Sequence, residues 1–140
     1  GALGLVYLEE LLHFTEDLRK VAGLVAAAGL DGVAVHRVGT PQHLLAFTLH
    51  CADQRRQVIV CGTEAHVCVQ QTALDLRRAG KQVFIVAEAS GTRDPANRDL
   101  AFTRMRGHGI EIVSREMVAF EWLQRGGTEL FREVNRDFIR

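Results

Sequence analysis

Residues 57–76 read QVIVCGTEAHVCVQQTALDL, and the fold turns on how this stretch is read. It opens on Val58-Ile59-Val60-Cys61, an apolar run dense in β-branched residues. Such a run fits a parallel strand buried on both faces. Gly62 interrupts it. From about His66 the spacing changes, and Val69, Ala73 and Leu76 fall on one helical stripe with Gln70, Asp75 and Arg77 off it. The unit is a strand, a tight turn and a helix. Cys68 falls in the first turn of that helix, above the carboxyl end of the strand, where open α/β sheets bind their ligands. Unpaired amides and the helix dipole at a helix start favour a thiolate. The stretch therefore suits a cysteine nucleophile with an oxyanion site beside it.

Outward from this unit, strands alternate with helices. Apolar runs predict strands at 3–7, 32–38, 82–87 and 110–113. Between the first two, Leu8, Leu11, Leu12, Leu18, Val21 and Val25 keep helical spacing. Asp31-Gly32 makes the turn back. Thr40-Pro41 predicts a helix start, with a helix continuing to about Arg55. The elbow helix ends near Gly80. Residues 88–94 read as a loop, 95–107 as a helix, and Ser114 as the cap of a helix to about Gln124. Gly126-Gly127 breaks it before a last helix carrying Phe131, Val134 and Phe138. Alternation of this kind predicts a three-layer α/β/α fold with a parallel sheet and right-handed crossovers. Five strands are expected, within a single domain spanning 1–140.

Composition narrows the function classes. The 140 residues carry 17 basic and 17 acidic side chains, a formal net charge of +0. No basic stripe stands out, so nucleic acid is not the expected partner. Cys51, Cys61 and Cys68 are odd in number, lack a C-x-x-C pairing and lie in expected helices or strands. That pattern predicts free thiols in a reducing, cytoplasmic setting. No apolar run reaches the roughly 18–20 residues that span a bilayer, so no membrane contact is expected. His43 and His50 share a helix face but stand two turns, roughly 10 Å, apart, too far to chelate one metal ion. His108, between two glycines, reads as a turn residue. Neither G-x-G-x-x-G nor G-x-x-x-x-G-K-[ST] occurs. No metal or cofactor is expected.

GTEAHVCVQQTALDL resembles the nucleophile elbow of the isochorismatase-like cysteine hydrolases. The resemblance continues through VFIVAEASGTRDPANRDLAFTRMRGHGIEIVSREMVAFEWL, so it covers about Gln57 to Leu123. EAHVCVQQTALDL and LAFTRMR are most similar to the isochorismatase-domain-containing subgroup. The resemblance implies a six-stranded, Rossmann-like family sheet, here minus one edge strand and so in the order 2-1-3-4-5, because only Gly39-Thr40 stands where the family inserts that strand. It also implies homo-oligomers and a small amide, ester or vinyl-ether substrate. Cys68 takes the place of the family nucleophile. The family's cis peptide maps to Thr63–Glu64, with the amides of Glu64 and Cys68 as oxyanion donors. The aspartate that takes the thiol proton maps to Tyr7, and the lysine has no counterpart. Lys20 and Lys81, the only lysines, fall elsewhere.

Two readings follow. In one, Cys68 is the nucleophile of a hydrolase with an atypical base. A phenol with a pKa near ~10 is a poor base at neutral pH, so His36 and Glu9 are the candidates beside Tyr7. Arg37 supplies charge but no proton. In the other, Cys68 is an inert thiol in an inherited turn, and the chain is a catalytically inactive binding or assembly partner. His66 is expected to be structural, Arg93 and Asp94 to do ordinary loop and capping work, and Cys51 and Cys61 to be core residues.

Overall fold

A computed structural model of the chain describes residues 5–8, 20, 34–37 and 56–139. Apart from Lys20, which is helical, the expected helices between the first three strands, the Asp31-Gly32 turn, Glu9, His43, His50 and Cys51 lie outside the described residues. The strands are β1 (Leu5–Leu8), β2 (Ala34–Arg37), β3 (Gln57–Thr63), β4 (Gln82–Gly91) and β5 (Glu111–Val113). The described helices are α1 (Gln70–Arg78), α2 (Pro95–Gly107), α3 (Arg115–Leu123) and α4 (Glu129–Val134). The strands lie side by side in the order β2-β1-β3-β4-β5, and every neighbouring pair is parallel.

β3 is the centre of the fold. Val58, Val60 and Cys61 have no exposed surface, and Ile59 almost none. Alternate residues serve opposite layers. Val58 and Val60 pack with Val69, Ala73 and Leu76 of the elbow and α1, and with Phe102 and Met105 of α2. Ile59 and Cys61 pack with Val118, Trp122 and Leu123 of α3 and Val134 of α4. Helices thus cover both faces, as a parallel sheet requires.

The helix boundaries follow local chemistry. Asp94 accepts a hydrogen bond from the Ala96 N–H at 3.0 Å, and Pro95 stands at the first helical position of α2. Ser114 accepts from the Met117 N–H at 3.1 Å to open α3. Thr128 accepts from the Phe131 N–H at 3.0 Å to open α4. Gly80, with φ 85°, closes the end of α1 in the left-handed region.

Three local expectations need correction. β4 does not stop at Ala87 but runs to Gly91, because the chain bulges and then pairs again. Val60 pairs with Ile85, but Gly62 pairs with Ser90 and Thr63 with Gly91. Four residues of β4, Val86 to Ala89, therefore face the single residue Cys61 of β3. The helix after β3 does not begin as α-helix near His66: Ala65–Val69 is one turn of π-helix, and α1 starts at Gln70. The expected cis bond at Thr63–Glu64 is also not there, since no described peptide bond is cis. Glu64 itself reverses the chain, in the left-handed region at φ 58° and ψ 62°.

Candidate active site

The elbow is built by four features in sequence. β3 delivers the chain to Thr63, and Glu64 turns it sharply. The Val67 N–H then donates to the Glu64 carbonyl at 2.8 Å. The Gln70 N–H closes the turn onto the carbonyls of Ala65 and Val67. Ala65 and Val69 are buried and pin the turn to the core, whereas Cys68 is half-buried. A non-glycine residue in the left-handed region costs free energy, and π-turns recur at functional sites.

Cys61 and Cys68 are both thiols, in unlike surroundings. Cys61 is fully enclosed, and burial pushes its thiol up to about 12. It is a core residue, as the sequence predicts. Cys68 is the cysteine of the described pair with access to the outside.

Around the elbow lies a polar cluster. Glu64 Oε1 is 2.8 Å from Arg93 Nε, and Glu64 Oε2 is 3.3 Å from His66 Nδ1. In the second contact neither atom makes a hydrogen bond. Ser90, 2% exposed, holds its hydroxyl without a partner and is paired through its backbone with Gly62. Arg98 donates to the Ala87 carbonyl at 3.0 Å and lies over the Phe102 ring at 5.1 Å, but its Nε is also unpartnered. Folded proteins leave few such atoms. Among the described residues those recorded belong to Glu64, His66, Ser90 and Arg98. They come from the elbow, the end of β4 and the helix hydrogen-bonded to the β4 bulge.

The other expected site residues are placed only by strand register. Tyr7 pairs with Val60, His36 with Tyr7, Leu8 with Cys61 and Arg37 with Leu8. The backbones of Tyr7, His36 and Arg37 are therefore level with the last buried residues of β3. Glu9 lies outside the described residues. Lys81 precedes β4, at the opposite end of the sheet from the elbow. His108 ends α2 in a turn, as expected.

Asp94 does cap its helix, but Arg93 does more than the loop chemistry expected of it, because it reaches Glu64. Ser90 falls in the stretch expected to be a loop, and nothing in its sequence surroundings signals a buried hydroxyl. Among the described residues no group of three or more His, Cys, Asp or Glu side chains comes together to hold a metal ion. No described helix is long and apolar enough to cross a membrane.

Comparison with known proteins adds a family relationship. A sequence model described as Isochorismatase domain matches residues 48–117. The "Secreted isochorismatase effector Isc1" of Phytophthora sojae is 37% identical over 83 residues, covering 59% of this chain and 40% of that protein. The chain thus spans less than half the length of the curated relatives it matches. Among solved structures, the "MAR1 Ribonuclease" of Caenorhabditis elegans superposes with a TM-score of 0.78 at 18% identity, over 100% of this chain and 93% of that one. The ycaC gene product of Escherichia coli, described as an octameric hydrolase of unknown specificity, superposes at 0.61 and 18% identity, over 89% and 80% of the two chains. At these identities the superpositions speak for the fold.

Proposed function

This chain belongs to the isochorismatase family, and from that premise we propose that it is a hydrolase with Cys68 as nucleophile, acting on a small amide, ester or vinyl ether. The observation that carries this reading is the position of Cys68: half-buried, in a tight turn directly after the central strand, beyond a left-handed non-glycine residue. For an amide or ester, the Cys68 thiolate attacks the carbonyl carbon. A C–S bond forms, and the carbonyl electron pair moves to oxygen. With Thr63–Glu64 not cis, the Glu64 amide loses the basis for its expected role, and the Cys68 amide is the proposed donor to that oxyanion. Collapse expels the amine or alcohol, which takes up the thiol proton. Water then cleaves the thioester, giving the acid and restoring the thiol.

The base that first takes the thiol proton is drawn from Glu9 and His36, with Tyr7 at the family's aspartate position and Arg37 supplying positive charge. The catalytic triad of the family is incomplete in this sequence, so the base is the least family-like part of the reading. No cofactor enters the scheme. We further read the sheet as five-stranded, without the family's additional edge strand, and residues 1–140 as one domain. A homo-oligomer fits both the octameric neighbour and a β2 edge that needs cover. The thiol pattern supports a cytoplasmic setting, although one relative is named as secreted. Zero formal net charge favours a small molecule over nucleic acid as the partner.

Thiol reactivity tests the reading without a known substrate. Dilute iodoacetamide is applied from about pH 5 to about pH 9 and followed by intact mass, with Cys68→Ser as control. Selective alkylation of Cys68 below about pH 7 is expected. If Cys68 reacts only above about pH 8, like an ordinary thiol, the chain is better read as an inactive binding or assembly partner.

A further inference from the structure

Glu64 is the one residue between β3 and the π-turn, and it holds a backbone conformation that few side chains adopt unaided. Something must hold it there. Its own amide neighbourhood supplies one constraint, the Val67 N–H on its carbonyl at 2.8 Å. No side-chain hydrogen bond caps the turn. The remaining constraint is on the carboxylate. Arg93, from the segment between β4 and α2, brings Nε to 2.8 Å of Oε1, while His66 from the turn itself stands 3.3 Å from Oε2.

We propose that Arg93 is a positioning residue for Cys68: by holding the Glu64 carboxylate from the far side of the β3–β4 pair, it fixes the turn that presents the thiol. Arg93 touches no reacting atom. It acts through Glu64, and Glu64 acts through the five-residue turn in which Cys68 lies. The anchor of Arg93 is itself fixed. Asp94 caps α2 at its next residue, and the Thr92 hydroxyl donates to the Asp94 carbonyl at 2.5 Å. Thr63, the residue before Glu64, is paired with Gly91, two residues before Arg93. The ion pair therefore spans the gap just beyond the last ladder pair of β3 and β4, at the carboxyl end of the two strands.

Global stability is not the purpose of such a bridge. Arg93 is 85% exposed, and exposed ion pairs contribute little to folding. A local effect on a strained turn is what distinguishes positioning from stabilisation. This inference rests on the assignment of Cys68 as nucleophile only for its functional meaning, since the mechanical claim can be read separately.

The test compares native protein, Arg93→Ala, Arg93→Lys and Glu64→Gln, with Arg78→Ala as control. Arg78 pairs with Asp75 at 2.7 Å on α1, away from the elbow. Hydrogen exchange read by mass spectrometry reports the backbone of residues 64–70, and iodoacetamide alkylation across pH reports the thiol. Arg93→Ala and Glu64→Gln are expected to speed exchange in the elbow peptide by roughly two- to five-fold, the range an exposed ion pair supplies. Elsewhere exchange stays unchanged, and the melting temperature moves by less than about 2 °C. The rate and pH midpoint of Cys68 alkylation shift with the elbow, Arg93→Lys recovers part of the shift, and Arg78→Ala changes neither. Native-like elbow exchange in Arg93→Ala overturns the proposal, whatever the thiol does. Elbow loosening with a native Cys68 that reacts like an ordinary thiol keeps the positioning role and removes the nucleophile reading instead.

Discussion

The Glu88 carboxylate accepts a hydrogen bond at 3.0 Å from the backbone N–H of Arg115, the first residue of α3. The β4 bulge makes this contact possible, because Glu88 lies among the residues set opposite Cys61 without a regular ladder partner. α3 opens with four N–H groups that its own turns cannot satisfy. Glu88 takes one and Ser114 takes another, and an acid at this end also suits the helix dipole. Glu88→Ala is expected to cost about 1 kcal/mol and to lower the melting temperature by roughly 3–5 °C. Glu88→Gln, which keeps an acceptor, loses less. Thermal melts at low and high salt check this, and an unchanged Glu88→Ala melt at low salt counts against the cap.

The same bulge shows where sequence reading runs out. The alternation of strands and helices was legible because β-branched runs and helical spacing are local signals, as were the caps Asp94-Pro95 and Ser114. The extension of β4 to Gly91 was not. Glu88-Ala89-Ser90-Gly91 has poor strand propensity, and only pairing with Gly62 and Thr63 makes it a strand. The π-turn was hidden for a related reason: Val69, Ala73 and Leu76 fit a helical stripe whether one turn before them is wide or not. The Glu64–Arg93 pair is a tertiary contact between two loop positions, each of which has an ordinary local explanation. The place of Cys68 at the carboxyl end of β3 was legible; the polar cluster around it was not.

Trp122 is the single tryptophan of the chain and is 2% exposed, packed in the layer that includes Ile59, Cys61 and Val113. Its truncation to alanine is expected to cost roughly 3–5 kcal/mol, a large share of the ~5–15 kcal/mol that holds a domain together. Trp122→Phe keeps most of the buried area and costs less. Urea unfolding followed by circular dichroism orders the variants. In the native chain, tryptophan fluorescence should shift to the red in the same transition, since Trp122 leaves the α3–sheet contact. Separate transitions for the two signals would mean that this layer unfolds on its own.

Cys61 sets a limit on alkaline stability. Burial raises its thiol from 9.0 to about 12 in the folded chain, so folding favours the neutral form. Below pH 9.0 the thiol is neutral in both states, and its contribution is fully present. As pH rises from 9.0 towards about 12, the unfolded chain ionises and the folded chain does not, so stability falls. Cys61→Ala is expected to start less stable, through the small cavity it leaves, but to lose stability less steeply over this window. Urea midpoints across the alkaline range read the slopes, and parallel slopes would contradict the buried-thiol account. In the alkylation experiment Cys61 should label only after unfolding.

Ser90 makes the opposite case to the helix caps. Its hydroxyl is buried at 2% residue exposure and makes no hydrogen bond, whereas the Ser114 and Thr128 hydroxyls each accept from a helix amide. Removing a cap leaves a donor unsatisfied, so Ser114→Ala and Thr128→Ala should each lose about 1 kcal/mol. Removing the Ser90 hydroxyl relieves a desolvated group and leaves only a small void. Ser90→Ala is therefore expected to be neutral or to gain up to about 1 kcal/mol. The same atom deletion has opposite signs at the two kinds of position, and urea midpoints measured side by side separate them. A gain in stability on Ser90→Ala would mean that this hydroxyl, on the strand residue paired with Gly62, is kept at a cost to stability of the sort associated with function. A clear loss on Ser90→Ala would reverse that inference and make Ser90 a structural residue of the β3–β4 pairing.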